Sequence, residues 1–171
     1  MVSIKNIIIF ISAVSAAAVK RTPATILIDI ATIDTNVKAL TTAVNNYNGG
    51  LLELLTVNSA ESTLDTSIKN AATDASSTSP LSSTDSNAIL KAIDNLIPDI
   101  QIALTALGSK KATFAAEGLT STVAGDLATL KKDTDTFGKA LLAISSPDVE
   151  PKLAAADSTI YSAFTAAQAQ F

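Results

Sequence analysis

No cysteine, no histidine and no tryptophan occur in the 171 residues, aromatic side chains make up 4% of them, and no arginine follows Arg21. Each absence removes a class of chemistry. Without histidine or cysteine, Ser-His-Asp and Cys-His nucleophile systems cannot be assembled. Zinc and haem lose their usual ligands, and the di-metal motif of helical bundles loses its histidines. Without cysteine there are no disulfides, so stability has to come from packing. The six glycines form no phosphate-binding loop. A nucleic-acid binder draws on basic patches and bidentate arginines, which excludes nucleic acid as a partner. Carboxylate pairs such as Asp133/Asp135 and Asp148/Glu150 are spaced two apart and point to different helix faces, as solvated surface charges do. The sequence therefore reads as that of a protein that is not an enzyme and needs no cofactor. No stretch alternates polar and apolar residues as a half-buried strand would.

What is present is helical periodicity. From Thr22 to Asn48 the large apolar residues fall at Ile26, Ile30, Ile33, Val37, Leu40, Val44 and Tyr47, in steps of four and three. That spacing keeps them on one stripe of a helix and would scatter them over both faces of a strand. Thr22 suits the N-cap and Pro23 the first helical position, where no donor is needed. Gly49-Gly50 provides the left-handed conformation that ends a helix. Ordering this helix alone costs more than burying its seven apolar side chains offsets, so the rest of the chain has to supply partners.

It does so by repetition. A second helix is predicted over Leu51–Ala75, with Leu54, Val57, Leu64, Ile68, Ala71 and Ala75 in register and Glu61 as a polar interruption, beside which Ala60 offers an alternative. Ser76–Ser86, rich in serine and threonine around Pro80, reads as a loop whose hydroxyls suit O-linked sugars. Ser82 or Ser83 caps a third helix, with Ile89, Ile93, Leu96, Ile100, Leu104 and Leu107 on its stripe, widened by Leu90, Ile97 and Ala103. A kink is expected at Pro98 and a weak end between Gly108 and Lys111. Ala112–Gly118 reads as a connector whose Phe114 plugs the core. A fourth helix from Thr120 or Ser121 carries Val123, Leu127, Leu130, Thr134, Phe137, Leu141 and Ile144. A fifth, starting between Pro147 and Pro151, carries Val149, Leu153, Ala156, Ile160, Phe164 and Ala167. The expected fold class is all-α, an antiparallel bundle of about five long amphipathic helices.

The first 21 residues stand apart from this domain, which covers residues 22–171. Met1–Lys5 is a short basic start, Ile7–Val14 an apolar run broken by Ser12, and Ala16-Ala17-Ala18 a small-residue cleavage pattern, so residues 1–21 are expected to be a signal peptide followed by a dibasic processing site at Lys20-Arg21. The apolar run is too short to span a bilayer. Processing at Thr22 removes Lys5, Lys20 and Arg21 and leaves nine basic residues against 16 acidic ones, a net charge of −7. No Asn-x-Ser/Thr sequon is present, and the end Ala-Gln-Ala-Gln-Phe has no apolar tail for a glycolipid anchor. The lysine pairs Lys110-Lys111 and Lys131-Lys132 read as solvated helix positions or as attraction for an acidic headgroup near a cavity mouth.

The stripes are almost wholly Ile, Leu, Val and Ala, and after residue 21 only Tyr47, Phe114, Phe137, Tyr161, Phe164 and Phe171 add bulk. Long helices of this kind can pack solidly, enclose an apolar tunnel, or part and lay their stripes on a lipid or waxy surface. Periodicity alone leaves all three open.

The leader, the Ile-rich first helix ending in Tyr47-Asn48-Gly49-Gly50 and the Ser/Thr-rich loop form a pattern with two further segments. These are Asn95-Leu96-Ile97-Pro98-Asp99-Ile100-Gln101, and Lys110-Lys111 followed by Phe114; the Lys-Lys-Asp-Thr-Asp-Thr run between Asp126-Leu127 and Phe137 completes it. In these features the chain resembles the fungal hydrophobic surface-binding protein A family, also called the cell wall galactomannoprotein family. The resemblance implies a secreted helical protein that binds hydrophobic material, associated with cell walls or culture fluid, in some members with fatty acids held between the helices. It favours the tunnel. Many wall-bound relatives carry a Ser/Thr-rich tail and anchor signal; the Ala-Gln-Ala-Gln-Phe end does not read as one, so stable wall attachment is not expected. The inward stripes then supply the candidate lining for a fatty acid or other lipid: Ile33, Val37, Leu40, Leu64, Ile68, Ile93, Ile100, Leu104, Leu127, Phe137 and Ile160. Gln101 and Ser62 are candidate partners for a polar headgroup, since each sits beside an inward position and can donate a hydrogen bond. The alternative is a structural protein that adsorbs to hydrophobic surfaces and recruits secreted hydrolases or contacts cell-wall glycans.

Overall fold

The computed structural model describes residues 21–171. The leader expected over residues 1–21 lies outside them except for Arg21, whose Nε is 2.8 Å from Asp74. Six helices follow in order: α1 Pro23–Asn46, α2 Leu51–Ser76, α3 Ser83–Ser109, α4 Lys111–Ala116, α5 Thr120–Ile144 and α6 Glu150–Gln168. Their ends follow from local chemistry. The Thr22 hydroxyl accepts the Thr25 N–H at 3.3 Å while Thr25 Oγ1 accepts the Thr22 N–H at 3.5 Å, a reciprocal box built from two threonines. Ser82 caps α3 by accepting the Asp85 N–H at 3.1 Å and donating to the Asp85 carboxylate at 2.6 Å. Between α1 and α2 the chain turns through Gly49 at φ 103° and Gly50 at φ 99°, where a side chain would strain the backbone.

Helix α3 passes through Pro98 unbroken and stops at Ser109, inside the Gly108–Lys111 stretch where a weak end is expected. One expectation needs adjusting. The connector over Ala112–Gly118 is in fact the six-residue helix α4, reaching Ala116 and closed by Gly118 at φ 70°. One and a half turns are too few to show periodicity in sequence.

Successive long helices run antiparallel. Spatial neighbours form a closed circuit instead: α1 packs on α2 and α3, α2 on α5, α5 on α6, and α6 on α3. Chain direction then makes three of these contacts parallel, α1 with α3, α2 with α5 and α3 with α6. Among the described residues no long helix crosses the middle of this ring. Five helices at interaxial spacings of about 8–10 Å enclose a wider centre than four do, so the stripes must reach further to fill it.

The two ends are closed differently. At the α1–α2 turn, Tyr47 stacks on Phe114 of α4 with ring centroids 4.8 Å apart, and Phe171 meets Phe114 edge-on at 6.3 Å. At the other end the fully buried Ser86 hydroxyl accepts the Ser146 N–H at 2.9 Å, and the Leu81 N–H donates to the Ile144 carbonyl at 2.7 Å. These bonds tie the start of α3 to the α5–α6 link. No helix among the described residues is long and apolar enough to cross a membrane.

Candidate functional site

The centre of the ring is not completely filled. A void of about 50 Å³ lies among α1, α2, α3, α5 and α6, lined by all eleven residues predicted from the stripes: Ile33, Val37, Leu40, Leu64, Ile68, Ile93, Ile100, Leu104, Leu127, Phe137 and Ile160. Leu96, Ala103, Leu107, Leu130, Thr134 and Phe164 complete the lining. They occupy the same stripes, so the signal that finds the eleven finds these as well. Thr134 is the one polar residue, and a void with a single hydroxyl offers water too few partners to be wetted. Leaving it empty costs about 1 kcal/mol at ~24 cal/mol per Å³.

Two further voids lie in line with the first. One of about 60 Å³, toward the Tyr47–Phe114 end, shares Leu40, Leu107, Leu127 and Leu130 with it and extends past Leu54, Val57, Phe114 and Val123. The other, of about 20 Å³, lies toward the Ser86 end and shares Ile93, Thr134, Phe137 and Ile160, with Asp157 at its edge. There Gly138 lets α5 and α6 approach closely, since a methyl group at this position would overlap the Asp157 carboxylate. The three form a row along the ring axis, interrupted by aliphatic side chains and not open as a continuous tunnel.

Gln101 and Ser62 do not belong to this row. Both are exposed, and Gln101 lies in a shallow outer groove with Pro98, Ile102 and Thr105. One position along a helix is a rotation of about 100°, so the neighbour of inward-facing Ile100 points outward, as does Ser62 two positions before Leu64. The polar groups that do reach the voids are Thr134 at the centre, Asn58, Glu61, Thr122 and Asp126 at the α2–α5 seam, and Asp157 at the Ser86 end. Of these, sequence periodicity singles out Glu61 and Thr134. The others sit at the edge of their stripes, where facing depends on how each helix is rotated against its neighbour.

Five carboxyls are held above their ordinary values, burial being the first cause in each. They are Asp29, also near Asp74; Glu61, near Asp126 and Asp65; Asp126; Asp133, beside Asp65; and Asp157, near Asp135. Arg21, Lys69 and Lys139 partly counter this for Asp29, Glu61 with Asp133, and Asp157 respectively. A carboxyl whose folded value is raised binds its proton more tightly in the native state, so stability grows as pH falls through the folded value and levels off below the unfolded one. Asp148 is lowered chiefly by the hydrogen bond that the Ser83 hydroxyl donates to it, and its contribution is lost only in stronger acid. The melting temperature is therefore expected to be higher at about pH 5 than at about pH 7.5, measured by circular dichroism at constant ionic strength. A lower value at pH 5 would contradict this assignment of the five groups.

The hydrophobic surface binding protein A family is matched over residues 23–143. Among solved structures, AfMp4p in complex with palmitic acid superposes with a TM-score of 0.85 at 36% identity, covering 87% of this chain and 99% of that one. Ligand binding domain 2 of the Penicillium marneffei MP1 protein, complexed with multiple arachidonic acids, gives 0.81 at 16% identity over 89% of this chain and 97% of that one. Ligand binding domain 1 of the same protein, complexed with arachidonic acids, gives 0.81 at 14% identity over 87% and 98%. At such identities the two MP1 domains speak for the fold alone. Comparison with curated protein sequences gives no match. The family match spans α1 to the last turn of α5, and the AfMp4p likeness extends over nearly the whole described chain, so the chain belongs to the hydrophobic surface binding protein A family.

Proposed function

We propose that this protein is a secreted, non-catalytic carrier that holds the acyl chain of a fatty acid or similar lipid inside its helical ring. The observation that carries this reading is the row of apolar voids along the ring axis. In their present size the voids are far below the ~300–1,000 Å³ of typical ligand pockets. Uptake therefore has to merge them, by rotation of Leu40, Leu107, Leu127 and Leu130 on one side and of Ile93, Phe137 and Ile160 on the other. Branched aliphatic side chains suit such a change, because they move past one another without breaking hydrogen bonds. The acyl chain then lies against Ile33, Val37, Leu64, Ile68, Ile100 and Leu104. AfMp4p, at 36% identity and in complex with palmitic acid, supports the ligand class.

A second reading has its own observation. Leu51, Leu52 and Leu55 on the first turns of α2 are 71%, 81% and 54% exposed, and they form an apolar tip beside the Gly49-Gly50 turn. A protein that coats hydrophobic surfaces would present such a tip. Recruitment of secreted hydrolases and contact with cell-wall glycans belong to this reading. One experiment separates the two. Organic extraction of the purified protein followed by lipid analysis should release fatty acid in stoichiometric amount, and the delipidated protein should take up a fluorescent fatty acid even with Leu51, Leu52 and Leu55 replaced by serine. No extractable lipid and no uptake, together with bead adsorption abolished by those three changes, would leave only the surface-coating reading.

A further inference from the structure

The void toward the Tyr47–Phe114 end has a broader polar side than the other two, which are bordered by Thr134 alone and by Thr134 with Asp157. Asn58 and Glu61 are three apart on α2, and Thr122 and Asp126 are four apart on α5, so each pair shares a helix face, and both faces border the same void. Asn58 and Thr122 are exposed and Glu61 and Asp126 half-buried, whereas Leu40, Leu107, Leu127 and Leu130 form the inner wall shared with the central void. The lining thus grades from solvent-facing polar groups to pure hydrocarbon, as the mouth of an acyl site does. Its charge has one sign. Helices α1, α3 and α4 contribute Leu40, Leu107 and Phe114 and no charged side chain. Farther along α2 and α5, Asp65 adds to the negative charge. Lys69 Nζ is already engaged, 2.6 Å from Asp65 and 3.5 Å from Asp133.

We propose that the Asn58–Glu61–Thr122–Asp126 opening is the headgroup end of the acyl site, taking uncharged groups that donate hydrogen bonds, such as a protonated carboxylic acid or a primary alcohol, and repelling a carboxylate. The inference rests on the carrier reading. Two ionised carboxylates accept from a hydroxyl but repel a third carboxylate, the more so where solvent is partly excluded. Burial holds both carboxyls above their ordinary values, and Asp126 and Asp65 push Glu61 further, so acidification relieves the repulsion early. Fatty acid uptake then strengthens as pH falls, and uptake of a long-chain alcohol does not.

The test is a titration of the delipidated chain with palmitic acid and with hexadecanol at about pH 5 and about pH 7.5. The unaltered protein should bind palmitic acid about tenfold more weakly at the higher pH and hexadecanol equally at both. In Glu61→Gln/Asp126→Asn the palmitic acid affinity at the higher pH should rise to that at the lower. Thr122→Lys, at an exposed position, should raise it too, and it keeps the test available if the double variant folds poorly. A pH dependence for palmitic acid that persists in both variants would trace to the ligand's own ionisation and overturn the proposal. A hexadecanol affinity that falls in parallel would also overturn it. Failure of every form to bind either ligand would instead remove the carrier reading itself.

Discussion

Replacing Leu104 by tryptophan is expected to abolish acyl-chain uptake and leave a folded helical ring. Leu104 is 7% exposed and lines the central void, so an indole there occupies the middle of the row through which the chain must pass. Overpacking of this kind costs about 1–3 kcal/mol, which a domain with ~5–15 kcal/mol of stability tolerates. The far-UV circular dichroism should match that of the unaltered protein, and fluorescent fatty acid binding should weaken by about a hundredfold or more, roughly the loss of 3 kcal/mol of contact. Unchanged affinity in a folded variant would place the acyl chain elsewhere than in the central void.

The largest loss of stability is expected from Phe114→Ala. Phe114 is 1% exposed, stacks on Tyr47 and meets Phe171, so one ring holds together the end of α1, the short helix α4 and the last residue of the chain. Truncation removes its buried surface, leaves a cavity and breaks the stack, for about 3–5 kcal/mol in all. In a domain of this size that lowers the melting temperature by roughly 6–20 °C. Tyr161 provides the contrast. It is 49% exposed, and beyond its packing it holds only Lys131 Nζ over its ring at 3.8 Å, a contact worth about 0.5–1 kcal/mol at such a site. Tyr161→Ala should shift the melting temperature far less. Equal shifts for the two would show that the aromatic cluster does not close this end of the ring.

The long helices are legible in sequence because their signals are local. The four-three spacing of Ile26 through Tyr47, the Thr22 and Ser82 caps and the Gly49-Gly50 turn each act within a few residues, and the structure places the helix ends within three residues of them. The residues that line the central void, though not the void itself, are legible for a related reason: a residue in the middle of an apolar stripe faces the ring axis whatever the neighbour, so Ile33, Ile68, Leu127 and Phe137 fall together without any knowledge of topology. The ring order and its three parallel contacts are not local, since no residue between α2 and α5 records that these helices meet. Nor is the polar opening, because Asn58 and Asp126 lie at stripe edges whose orientation depends on how α2 and α5 rotate against each other. Gln101 and Ser62 show the complementary error. Adjacency in sequence to an inward residue is, on a helix, a reason to point elsewhere.

The carrier reading places the ligand inside the ring of five helices, and native mass spectrometry tests this most directly. Protein as purified should carry added mass equal to a whole number of fatty acids, lose it on delipidation and regain it when palmitic acid is supplied, while Leu104→Trp stays at the mass of the bare chain. A single unliganded mass in every sample, with palmitic acid in excess, would contradict it.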